Sequence, residues 1–170
     1  MACFCPMTAQ PSVQIRAARQ DENAWIERYL SQTWGSATVV SRGAVHDASQ
    51  LPAVVAVEGD EIVGLATFRF ADDECELVTL DALRRREGIG SALLAHVGQE
   101  AARRGCRRMW LITTNDNVDA IRFYQRRGMR LVAIRPDAID EARRIKPSIP
   151  EIGEYGIPIH DELEFELAIG

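Results

Sequence analysis

Residues 84 to 91 read RRREGIGS, and this short stretch constrains the fold more than any other part of the 170-residue chain. The run before it, CELVTL, has the composition of a strand. The run after it, ALLAHVGQEAARR, continues a pattern that puts Ile89, Leu93, Leu94, Val97 and Ala101 on one face, which predicts an amphipathic helix ending at Gly105. The chain therefore passes from strand to helix through a turn that holds two glycines and three arginines. A backbone that must lie against an anion needs residues without Cβ, and a helix start offers unpaired N–H groups at the positive end of a dipole. Gly88 and Gly90 meet the first need, and the helix start at Ser91 meets the second. A turn solvated by arginines for its own sake has the same local look, so the surrounding elements must decide.

Before this junction, Val13 to Ala17 reads as a short strand. Asp21 and Glu22 lead into a helix that carries Trp25, Ile26, Tyr29 and Leu30 at helical spacing. GSATVVSRGAVHDASQLP reads as a loop with one brief strand at its VV pair. AVVAVE and EIVGLATFRF form a hairpin around Gly59-Asp60, and ADDE turns the chain into ECELVTL. After the helix, RRMWLITT is a buried strand, and Asn117 is a good N-cap for a helix running to Gly128. MRLVAIR is a strand, DAIDEARRI a short helix, KPSIPEIGEYGIPIHDE a long loop and ELEFELAI a final strand. The expected fold class is α/β: a central, mostly antiparallel, twisted mixed sheet with helices on both faces. Residues 13–170 read as one domain behind a loose tail at 1–12.

Charge is unevenly spread. Residues 84 to 130 hold eleven arginines against four acids, a net +7, while the remainder holds nine Lys and Arg against twenty-one acids, a net −12. A basic middle inside an acidic chain suggests a local anion site, and a pI near 5.3 argues against wholesale nucleic-acid binding. No apolar run approaches the ~20 residues of a membrane span. MACFCPMTAQPS has neither a basic start nor a long apolar stretch, so a cytoplasmic location is the expectation. The four cysteines include no C-x-x-C and the three histidines are scattered, so no metal site is expected; Cys3 with Cys5 is the weak alternative.

Three phosphate-binding patterns compete for the glycine turn. A P-loop needs Gly-Lys-Ser/Thr, and Ser91 follows Gly90 directly. A dinucleotide fingerprint needs a third glycine where Leu93 stands, and it opens its fold instead of following three strands. The third pattern, Arg85-x-x-Gly88-x-Gly90 after a strand and before an amphipathic helix, resembles the pyrophosphate loop of GCN5-related N-acetyltransferases (GNAT). Asn117-x-x-Ala120-x-x-Phe123-Tyr124-x-x-x-Gly128 resembles the segment that closes over the CoA thioester in the same family. The resemblance covers roughly residues 13 to 135. It departs at Ala82, where the family often has proline, and at Met129, where it usually has phenylalanine.

The resemblance implies acetyl-CoA as donor and no metal. It implies that backbone N–H groups from Arg86 through Glu87, Gly88, Ile89 and Gly90 to Ser91 hold the pyrophosphate, while Arg84, Arg85 and Arg86 supply charge. Which arginine meets the 3′-phosphate stays open. Pantetheine would add like a strand beside Val78 to Leu80, with a main-chain N–H near Leu80 polarising the thioester carbonyl. Tyr124 is the expected general acid, and Asn117 is expected both to cap its helix and to touch the cofactor. For the base, Glu76 leads, because a carboxylate among Leu77, Val78 and Leu80 is unusual and burial would suit it to take a proton. Glu74, two residues earlier on the same strand face, and His46 are the alternatives.

The expected activity is acetyl transfer to a primary amine, on a small molecule in preference to a protein. Arg42, His46 and Asp47, with Glu151, Glu154, Tyr155, His160, Asp161 and Glu162, leave the acceptor open. A non-catalytic acyl-CoA-binding regulatory or interaction protein is the rival, and a toxin acting on aminoacyl-tRNA is disfavoured by the missing broad basic surface. The family's dimers through exposed edge strands imply a homodimer by analogy.

Overall fold

The computed structural model describes residues 13–84 and 87–170. The tail expected over 1–12, with Cys3 and Cys5, and the two arginines Arg85 and Arg86 lie outside the described residues. Nine strands and four α-helices follow one another as β1 (Gln14–Ala17), α1 (Asn23–Trp34), β2 (Thr38–Ser41), β3 (Ala44–Asp47), β4 (Ala53–Glu58), β5 (Glu61–Ala71), β6 (Glu74–Ala82), α2 (Ile89–Arg103), β7 (Arg108–Thr114), α3 (Val118–Gln125), β8 (Arg130–Arg135), α4 (Ala138–Ile145) and β9 (Glu162–Ala168) among the described residues. Seven strands make one sheet in the order β1-β4-β5-β6-β7-β9-β8, and β2 pairs with β3 as a separate hairpin. Every pair in the large sheet is antiparallel except β6 with β7. No helix among the described residues is long and apolar enough to cross a membrane.

Side-chain periodicity built these layers. All five apolar residues expected on one face of α2 are buried, and they join Tyr124 of α3 and Phe165 of β9 in a core on one side of the sheet. Ile26 and Leu30 of α1 make a second core on the opposite side with Val55, Leu65 and Val78, and Val39 of β2 packs against it. The two cores meet through the sheet, as a mixed layer architecture requires.

The loop expected at residues 35–52 is a correction. It folds into the β2–β3 hairpin, turned by Arg42 at φ 51° and Gly43 at φ 76°. Positive φ at both central residues is the geometry that matches strand twist in a two-residue turn. An arginine seldom adopts it, so the sequence carried a weak turn signal. This hairpin lays His46 and Ser41 against the sheet.

Candidate active site

A first cleft grows out of the β6–α2 turn. Gly88 sits at φ 78° and serves as the N-cap of α2, a conformation that side chains with a Cβ rarely adopt. Gly90 serves a different purpose. A Cβ there would lie 3.2 Å from Cζ of Phe123, so its absence lets α3 close on the first turn of α2. Between them opens a cleft of about 550 Å³, walled by Ala82, Arg84, Gly88 to Ser91, and by Asp119, Arg122, Phe123, Arg126 and Arg127 of and beyond α3. The cleft is cationic: Arg84, one of the three arginines expected to supply charge, lines it together with Arg122, Arg126 and Arg127. Arg84 is tied to Glu58 at 2.6 Å and to Glu87 at 3.5 Å. Arg127 stacks over Phe123, 3.6 Å from the ring centre, and donates to the Ser91 hydroxyl at 2.8 and 2.6 Å. Arg122, Arg126 and Arg127 were missed as site residues, although the run RFYQRRG carried the signal.

β6 and β7 part company next to this cleft. Their parallel ladder covers only Glu74 with Arg108, Cys75 with Met109 and Glu76 with Trp110. From Leu77 onward β6 stays with β5, and β7 stays with β9 to Thr114. The backbone groups of β6 that face β7 are thus left without a ladder partner. A register shift between Thr67 and Phe68 skips Val78, which makes Val78 a bulge residue. Beyond Glu76 a gap in the ladder between β6 and β7 runs along Val78 to Leu80.

Tyr124 is buried on α3, edge-on to Phe123 at 5.2 Å and tilted against Phe165 at 6.1 Å. Burial, helped by the charge of Asp81, pushes its phenol well above the usual range, so it stays protonated. Its side chain lines neither cavity described here. Asn117 caps α3 by accepting from the Ala120 amide at 3.1 Å, and it also lines the second cavity.

That second cavity, about 280 Å³, lies on the α1 face of the gap. Its wall takes in Trp34, Val39 to Ser41, Glu76 to Val78, Ile112 to Thr114, α4 with Lys146, Ser148 to Pro150, and Glu162. The segment after β8, read from sequence as a short helix and a long loop, thus closes one side of the pocket that contains Glu76. Glu76 is 3% exposed; its Oε1 accepts from Ser41 Oγ at 2.6 Å and its Oε2 from Arg69 Nε at 2.5 Å. Arg69, one strand away on β5, places a positive charge beside this carboxylate. His46 is brought to the same place, with Nε2 4.0 Å from Glu76 Oε2.

Glu74 is held elsewhere. Arg108 binds it at 2.8 and 3.0 Å and keeps its carboxyl below the usual range. Of the remaining acceptor candidates, only Glu162 lines the cavity. Arg42 lies over Trp110 and pairs with Glu164, Asp47 receives the Ser49 amide, and the Tyr155 hydroxyl donates to Asp119 at 2.9 Å. Asp81 was missed. It accepts from the Trp34 indole at 3.0 Å, and burial pushes its carboxyl up to about 6. The lone acid at the end of ELVTL was the available signal.

The description "Acetyltransferase (GNAT) family" matches residues 16–129, and the chain belongs to that family. YdhI of Bacillus subtilis (strain 168), described as an uncharacterized protein, is 41% identical over 142 residues, covering 83% of this chain and 89% of YdhI. A Bacillus subtilis acetyltransferase in complex with CoA superposes with a TM-score of 0.68 at 18% identity, over 94% of this chain and 100% of that one. A GNAT family acetyltransferase from Elizabethkingia anophelis with acetyl-CoA bound gives 0.64 at 19% identity, over 92% and 97%. These two likenesses establish the shared fold.

Proposed function

We propose that the protein transfers an acetyl group from acetyl-CoA directly to a primary amine of a small acceptor. The single observation that carries this reading is the β6–β7 gap, with a cationic, glycine-floored cleft on one face and an acid-bearing cavity on the other. Transfer needs an anchored donor, a neutral amine, polarisation of the carbonyl and a proton for the leaving thiolate. In this reading the amides of residues 86 to 91 and the α3 arginines hold the pyrophosphate. Pantetheine threads the gap, and a β6 amide between Val78 and Leu80 meets the thioester carbonyl. The amine nitrogen attacks that carbon, the C–S bond breaks, and Tyr124 gives its proton to the sulfur. Glu76 takes the proton lost by the amine; Asp81, one hydrogen bond behind Trp34, is the second candidate for that task.

Support for the donor comes from the family and from the CoA and acetyl-CoA seen in structural neighbours. The test is thiol release from acetyl-CoA across a panel of amines, beside a titration of acetyl-CoA binding. Amine-dependent thiol release is expected. Binding without any such release would favour a non-catalytic acyl-CoA-binding protein, and no binding would end both readings. A pH–rate profile of Glu76→Gln and Asp81→Asn then assigns the base, since only the true one removes the acidic limb.

A further inference from the structure

Three buried side-chain atoms have no hydrogen-bond partner among the described residues: His46 Nε2, Arg135 Nη1 and Glu162 Oε2. They share one neighbourhood. His46 approaches Glu76, Glu76 and Glu162 line the same cavity, and Arg135 is the cross-strand partner of Glu162. Strand register explains how charge is divided there. Glu162, Glu164 and Glu166 of β9 stand opposite Thr114, Ile112 and Trp110 of β7, all on one face. Arg42, Arg108 and Arg135 converge on Glu164 at 2.8, 3.2 and 2.6 Å. Arg108 also reaches Glu166, and Arg69 holds Glu76.

Glu162 makes no direct ion pair in this sharing: the Arg42 backbone bears on it, and the charges of Arg135 and Arg42 reach it only from beyond ion-pair distance. It is 1% exposed, and among the described residues no cationic side chain lies within 4.0 Å of it. Lys146, the cation on the cavity wall, gives its ammonium to the carbonyls of Trp34 at 3.1 Å and Thr38 at 2.8 Å. A carboxylate removed from water with one oxygen unpartnered and its counter-charges held at a distance is disfavoured, and a cation entering the cavity relieves it. The amine that is acetylated serves poorly as that cation, because it must lose its charge to react. A second positive group on the acceptor keeps its charge throughout.

We infer that Glu162 recognises a second cationic group on the acceptor, which makes the acceptor a compact aliphatic diamine or a similar amine with a distal positive charge. The inference rests on the acetyl-transfer reading above. The rest of the wall fits the stem of such a molecule: Val39, Ile112, Ile139 and Ile149 offer apolar surface to methylene groups. At about 280 Å³ the cavity stands at the small end for ligand sites, which suits a short chain.

Rates of thiol release with putrescine and cadaverine, set against n-butylamine and n-pentylamine, test the idea. Calorimetry of the same four amines with the CoA-loaded protein reads binding without turnover. Each diamine is expected to exceed the monoamine of equal length by roughly tenfold to a hundredfold in kcat/KM and in affinity, the range for a charge-assisted contact. Glu162→Gln should erase that difference while still binding acetyl-CoA. Equal handling of diamine and monoamine by the wild type, failure to bind any of the four, or a preference that survives Glu162→Gln overturns the inference and leaves Arg135 as the partner of Glu162. The wild-type comparison stands alone if the variant does not fold. A diamine preference in calorimetry without thiol release keeps the Glu162 assignment and sinks only the transfer reading.

Discussion

Asp81 shows how much one partly buried carboxyl can say. Its carboxyl rises from an ordinary 3.8 to about 6, chiefly through burial, with the Trp34 indole opposing the shift. A raised folded-state value means the native protein holds its proton longer than the unfolded chain does. Stability therefore falls as pH climbs from about 4 to about 6, and the whole penalty is present above that window. Asp81→Asn keeps an acceptor for Trp34 and removes the penalty. It should raise the melting temperature at pH 7, by roughly 1–3 kcal/mol in stability, and change it little at pH 4. Equal melting curves at pH 7 would show that the carboxyl is not desolvated. For Tyr124, replacement by phenylalanine leaves the packing on Phe123 and Phe165 intact and removes only the hydroxyl. Turnover should drop by about 10²–10⁴-fold with acetyl-CoA affinity nearly unchanged, measured by single-turnover rates and a binding titration. Unchanged turnover would refute the acid role. These residues differ in how openly the sequence announced them. Tyr124 stands in a recognisable motif, whereas Asp81 needed the turn of α1 that brings Trp34 over it.

Among the elements, α2 is held by close approach to β5. A Cβ at Gly64 would lie 2.6 Å from Cγ2 of Ile89 and 3.0 Å from Cδ1 of Leu93, both buried on α2. Gly64→Ala must push the helix start away, at about 1–3 kcal/mol. Because Ile89 lines the cleft proposed to hold the donor, weaker acetyl-CoA binding should accompany the lower melting temperature. Gly98, on the same helix, is the control. A Cβ there meets only Met109 Cε at 3.8 Å, so Gly98→Ala should stabilise by about 0.5–1 kcal/mol. Equal effects at both positions, read by thermal melts, would contradict this account. Helix faces were legible because their period is local, and the buried face of α2 matched the sequence reading residue for residue. The β2–β3 hairpin was not, since Ala44-Val45-His46-Asp47 is short and mostly exposed, and its turn relies on an arginine at positive φ.

At the scale of the whole molecule, the mixed sheet with helices on both faces was readable from the order of elements. The insertion of β9 between β7 and β8 was not, because nothing local in ELEFELA names its neighbours. That insertion decides which arginines Glu164 meets and which stay at a distance from Glu162, and so it hid much of the second cavity's wall. The glycine turn was plainer, since strand, turn and helix lie together along the chain. The gap between β6 and β7 has a cleft on the α2 face and a cavity on the α1 face. Such a sheet has two separate entrances. If the donor takes one, as proposed, it would not stand in the way at the other, so loading would proceed in either order and a spent carrier would depart past a product still in place.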